Sequence, residues 1–222
     1  MNDARRIARE LREAAARLKS AAVWKGSDLA VDAAKDSYVF ELLCYFNVAL
    51  AAKERFAVSL DGKLESRKGG KFVARWPKSP GHKGNFSYLR LKSEAGNEYQ
   101  LCPGIEIEDK HGKSRAPDVN LLAGSAGSSP SYRDLLACWD AKYSENTAAP
   151  LADQAVADFI YTYQQLGKPE LPAAWRSLVR GAPYERSGIF TNAQRSSERD
   201  EAFAENGLAE TSGFPHSPRT RP

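Results

Sequence analysis

The chain has 222 residues, 42% hydrophobic, 10% aromatic and 27% charged, with a formal net charge of +4. These values exclude disorder throughout and suit one compact domain with appended segments. No apolar run approaches the roughly 18 residues of a membrane span, and the N-terminal MNDARRIARELREAAARLKS lacks the apolar centre of a secretory signal, so a cytoplasmic location without membrane contact is expected. Cys44, Cys102 and Cys138 are odd in number, sit in apolar sequence and show no Cys-x-x-Cys or His-x-x-x-His spacing. They read as reduced core residues.

From Ala4 to Ala22 the apolar residues Ile7, Leu11, Ala14, Ala15 and Leu18 recur at three- and four-residue steps, the stripe of an amphipathic helix within an N-terminal unit of residues 1–30. Trp24-Lys25-Gly26-Ser27-Asp28 interrupts it, and a second helix is predicted from Asp36 or Ser37, either able to cap it, to about Lys53. Its centre, YVFELLCYFNVALAA, is apolar nearly all round, which predicts burial on most faces and makes its single acid, Glu41, conspicuous. Beyond Phe56 come short β-type runs: FAVSL, KFVARW, FSYLRL, EYQLCPGIEI, PDVNLL and DLLACWDAKY. They predict a mostly antiparallel sheet, with the polar stretch Asp109–Ser114 as a hairpin connection. A third helix is predicted from Pro150 to a cap at Gly167, packing through Leu151, Val156, Phe159, Ile160 and Tyr163. The core is thus placed at 31–180, and 181–222 reads as a polar, largely flexible tail, disordered at its C-terminal end.

Two motifs fall into this order: Pro117-Asp118 at the head of PDVNLL, and Asp140-Ala141-Lys142 near the end of LLACWDAKY. Alternation along a strand puts Asp140 and Lys142 on one face and Trp139 and Ala141 on the other. If the two runs are neighbours, Asp118 lies beside Asp140, and two carboxylates that close repel unless a hard cation stands between them, Mg²⁺ or Mn²⁺ being the natural choice. Lys142 could then orient or activate a water for attack on a phosphodiester. Two other acid-x-lysine triplets, Asp61-Gly62-Lys63 and Glu108-Asp109-Lys110, lie in a turn and a polar hairpin and read as structural. Glu41 needs a partner in its apolar helix: a metal, Lys142, or an arginine such as Arg90.

On Pro117-Asp118, Asp140-Ala141-Lys142, the helix with Glu41 before the sheet and the helix with Gln154 after it, the chain resembles the PD-(D/E)xK nuclease superfamily over roughly residues 36–167. The resemblance implies an α/β, restriction-endonuclease-like core with a mixed, mostly antiparallel sheet flanked by helices. It implies that Asp118, Asp140 and Glu41 hold a divalent metal, that Lys142 assists the attacking water, and that Gln154 belongs to the site. No Tyr follows Gln154 at the four-residue step of the RecB-like branch. The implied activity is metal-dependent hydrolysis of DNA phosphodiester bonds, as an endonuclease of a restriction, defence or mobile-element system.

Between Ser66 and Ser93 there is no acid, whereas Arg67, Lys68, Lys71, Arg75, Lys78, Lys83, Arg90 and Lys92 are basic and Phe72, Trp76, Phe86 and Tyr88 are interleaved. This reads as a basic hairpin insertion near 62–92, gripping DNA through Arg67, Lys68, Lys71, Arg75, Trp76, Lys78 and Lys83. The alternatives are a non-catalytic nucleic-acid-binding or assembly subunit, with a homodimer or partner-protein contact through the first helix, and a hydrolase pairing a cysteine with His82 or His111.

Overall fold

The computed structural model describes residues 3–20, 27–28, 35–67, 71–179 and 184–214. The apolar stripe of the first segment forms α1 (Asp3–Ser20), and Ile7, Leu11, Ala14, Ala15 and Leu18 are all buried. They pack on the second helix, α2 (Asp36–Lys53), whose other side lies on the sheet. Covered from both directions, α2 buries residues on every face, as its apolar circumference requires. Each large apolar side chain so removed from water stabilises the fold by about 1.5–3 kcal/mol.

The strands are β1 (Ser27–Asp28), β2 (Ala57–Gly62), β3 (Leu64–Arg67), β4 (Lys71–Ala74), β5 (Ser87–Lys92), β6 (Glu98–Pro103), β7 (Ile107–Glu108), β8 (Ser114–Arg115), β9 (Val119–Ala123) and β10 (Leu135–Lys142). After α3 (Asp153–Gln165) and the short α4 (Ala173–Leu178) follow β11 (Gly188–Thr191), α5 (Asp200–Glu205) and β12 (Ala209–Thr211). The seven-stranded sheet has the order β12-β11-β10-β9-β6-β5-β2. The pairs from β10 to β2 are antiparallel, while β10, β11 and β12 run parallel through helical crossovers. The architecture is therefore mixed α/β, a mostly antiparallel sheet flanked by helices. On one face α1, α2 and Trp175 of α4 pack against Leu89, Leu101, Leu121, Trp139 and Phe190. On the other, α3 and α5 cover Cys102, Leu122, Cys138 and Ile189.

The hairpin at Asp109–Ser114 joins β7 to β8, and the turn after α3 closes through Gly167, whose φ of 79° is the left-handed conformation that glycine adopts without strain. Among the described residues no helix is long and apolar enough to cross a membrane.

Two boundaries need correction. Residues 184–214, expected within a flexible tail, supply β11 and β12 to the main sheet and bury Ile189, Phe190, Phe203, Leu208 and Phe214. Spaced apolar residues on short strands are enough when a sheet edge is waiting to pair them. Residues 215–222 lie outside the described residues. The insertion expected near 62–92 shrinks to β3 and β4, which pair with each other and, through β4, with β1 in a separate three-stranded sheet. Its second half, β5, is an inner strand of the main sheet with Leu89 and Leu91 fully buried.

Candidate active site

Two local features aim the charged end of β10. A bulge between Leu135 and Ala137 inserts one residue and reverses the alternation, so that Leu135 faces α3 whereas Ala137, Trp139 and Ala141 face α2. Val119 is opposite Trp139 in the antiparallel register. Asp118 itself lies in the bend just ahead of β9, one residue beyond that last pair and within the electrostatic reach of Asp140.

Asp118 Oδ2 accepts a hydrogen bond from the backbone N–H of Ala141 at 2.7 Å. Burial, and then the negative charges of Asp140 and Glu41, push the Asp118 carboxyl well above the usual carboxylate range, against the opposing pull of the Ala141 N–H and Lys142. Burial likewise raises Glu41, with Asp140 adding to the rise and Lys142 resisting it. Lys142 Nζ lies 2.7 Å from Asp140 Oδ2, and the pair is reachable from solvent, with side-chain exposures of 34% and 15%. Burial alone would lower the Lys142 pKa, but Asp140, Asp118 and Glu41 outweigh it and hold the ammonium above its ordinary value. Asp118, Asp140, Glu41 and Lys142 thus form one electrostatic cluster. Arg90, weighed as a partner for Glu41, is instead bound to Asp61, with Nη2 at 2.7 Å from Oδ2.

Gln154 is not part of it. It is exposed on the first turn of α3, and its amide donates to Asp158 Oδ1 at 2.7 Å, one helical turn on. A strand-to-helix spacing fixes neither the helix's rotation nor the side its polar residues face.

The supporting residues were missed. Thr191 Oγ1 donates to the Lys142 carbonyl at 2.8 Å. The Asn192 side chain accepts from Ser144 N at 2.7 Å and donates to Ser144 O at 2.8 Å, fixing the backbone just beyond Lys142. Asn120 is fully buried, and its amide donates to Pro117 O at 2.8 Å, holding the turn that presents Asp118. Asn120 two residues after Asp118 on an apolar strand was a usable signal, whereas Thr191-Asn192 lay in the segment read as tail.

The basic residues divide. Arg75 and Lys78 are exposed, and Arg75 stands over the Phe86 ring at 5.9 Å. Trp76 is buried between Tyr45 and Phe46, each ring 5.5 Å away, so it is a core residue and offers no face to a base. Lys83 is not on the open surface: it is buried, its ammonium donating to Ala126 O at 2.8 Å and Gly127 O at 2.9 Å. Alternation and composition could not separate the inward from the outward members of so mixed a run. Lys68 lies outside the described residues; Arg67 and Lys71 are the paired ends of β3 and β4, and their side chains lie outside the description.

All three cysteines are buried and free. Burial pushes the Cys44 and Cys138 thiols up and raises Cys102 to about 12, which removes the thiolate that a cysteine hydrolase needs. In comparisons with protein-family models, curated proteins and solved structures, the chain matches none of them.

Proposed function

We propose that the chain is a metal-dependent nuclease that hydrolyses DNA phosphodiester bonds, an endonuclease with the restriction-endonuclease-like core its motifs resemble. One observation carries this reading: Asp118, Asp140 and Glu41 share one electrostatic field, with a lysine 2.7 Å from Asp140. Carboxylates clustered beside strands this apolar are costly to keep, and perturbed acids of this kind gather at functional sites.

The donor chemistry fits a hard divalent cation. Mutual repulsion and burial raise the affinity of Asp118 and Glu41 for a proton, and the same field favours any cation. Among the described residues no three His, Cys, Asp or Glu are grouped as a preformed ligand set. Mg²⁺ suits such a site, because it keeps several waters and takes only one or two carboxylates together with substrate phosphates. Asp118 and Asp140 would hold it, with Glu41 beside them; when bound it supplies polarisation of the phosphate and a more acidic water.

The chain's own residues do the rest. Lys142, kept protonated, is a charge and hydrogen-bond donor that orients the attacking water or steadies charge on the phosphoryl oxygens, with Asp140 fixing its Nζ. Of the basic residues expected to grip DNA, Arg75 and Lys78 are exposed and available to its backbone. The role in restriction, defence or mobile-element biology is proposed with the resemblance.

One contact favours the rival, non-catalytic reading: the bond from Ala141 N to Asp118 gives Asp118 a structural task of its own. The two separate by incubating the full chain with plasmid, linear and single-stranded DNA in Mg²⁺, Mn²⁺ or EDTA beside Lys142→Ala. Metal-dependent cleavage that the variant loses is expected. DNA binding without cleavage in either protein would replace this reading with the non-catalytic one.

A further inference from the structure

On the sheet side that carries α3, a cavity of about 540 Å³ is lined by Lys63, Lys83, Gly84, Tyr88, Gly127 and Ser128, among others. No acid lines it. Lys83 is only 4% exposed, and its Nζ sits 4.5 Å over the Tyr88 ring. Its two hydrogen-bond partners, the carbonyls of Ala126 and Gly127, are neutral, so a full positive charge is left buried without a counter-ion. The acids whose fields reach it are committed elsewhere: Asp61 to Arg90 and Tyr88, and Asp134 to Ser131.

A charge is not needed to tether this loop. Gln100 Nε2 already donates to Gly124 O at 2.7 Å and to the same Ala126 carbonyl at 3.1 Å, a neutral amide performing the same anchoring from β6. The ammonium therefore adds electrostatics that the tether does not use, at the wall of the cavity. We propose that this cavity binds a phosphate-type oxyanion, with Lys83 as its charged anchor and Lys63 at its rim. A bound oxyanion supplies the missing negative charge, and the buried ammonium makes a stronger contact than a solvated surface lysine does. The anion is either a phosphate of a nucleic-acid backbone or free phosphate. The inference does not depend on the cleavage reading, and none of its readouts uses cleavage.

The test is a titration of the ¹⁵N-labelled full chain with sodium phosphate against sodium chloride at matched ionic strength, following the amides of Gly84, Gly127 and Ser128. Saturable shifts with phosphate alone are expected. Ser128→Glu places a carboxylate on the exposed cavity wall without touching the bonds of Lys83, and should weaken phosphate roughly tenfold or more. Lys83→Met should do the same, and if it fails to fold, Ser128→Glu decides alone. Absence of saturable shifts in the wild type, or unchanged affinity in Ser128→Glu, overturns the proposal. A single-stranded oligonucleotide that displaces phosphate from these amides assigns the site to a backbone phosphate; one that leaves them unmoved assigns it to free phosphate.

Discussion

Glu108-Asp109-Lys110 and Asp140-Ala141-Lys142 are spelled alike and behave as opposites. In the first, Asp109 Oδ1 accepts from the backbone of His111 (2.8 Å) and Lys113 (2.9 Å), and Oδ2 from Arg115 Nε (2.9 Å). Although burial works against it, these bonds hold the Asp109 carboxyl down at about 2. Lys110 turns away and caps α3, its Nζ donating to Gln164 O at 3.2 Å. In the second segment the acid lies in one field with two others, Asp118 and Glu41, and the lysine is drawn back onto it. A carboxylate held by three donors is a fastener. One left against its own kind has unused affinity for a cation, which is what chemistry can draw on.

Exchanging the two lysines tests the contrast most severely. Lys142→Ala should reduce DNA cleavage by roughly 10²–10³-fold, as removal of a preorganised donor does, while Lys110→Ala leaves the rate of plasmid nicking unchanged. Equal losses would erase the distinction.

Next in size is Asp109→Ala, expected to destabilise the fold by about 2 kcal/mol in urea denaturation without affecting cleavage. Asp109 has a folded pKa of about 2 against an ordinary 3.8. Its stabilisation is therefore complete above about pH 4 and lost as pH falls towards 2, where variant and wild type should converge.

Asp118→Asn should go the other way. With EDTA present it should raise Tm by roughly 2–4 °C, the effect of about 1 kcal/mol in a domain of this size, while abolishing cleavage. Because the raised carboxyl binds its proton more tightly in the folded state, wild type gains stability on acidification and the gap to the variant narrows as pH falls. Mg²⁺ should raise the Tm of wild type and not of the variant. The smallest effect belongs to Gln154→Ala, expected to change stability by less than about 0.5 kcal/mol and cleavage not at all.

The sequence was most legible where periodicity and burial agree. The limits of α2 follow from its all-round apolar run, and the antiparallel pairing of β9 with β10 from two successive β-type runs. It was least legible where a residue's fate depends on a distant partner. Trp76 is core because Tyr45 and Phe46 of α2 receive it, and Lys83 is interior because a loop forty-odd residues later turns its carbonyls towards it. β11 and β12 were hidden for a related reason: parallel strands joined by crossovers carry no hairpin signal, and the Gly188 that lets β12 approach is one small residue in a polar stretch. A Cβ there would meet Ala209 O at 2.0 Å.

The layering of α2 between α1 and the sheet also has a temporal side. On a ribosome, α2 is complete when residue 53 is added, yet β10 ends at residue 142. The intervening chain takes about 5–20 s to make at ordinary translation rates. At the start of that interval the apolar α2 lacks the strands that will cover it and can already meet the stripe of α1, while β2, β5, β6 and β9 follow in turn before β10. That helix, beyond its place in the finished fold, is the built-in escort of α2 while the rest of the chain is still being read.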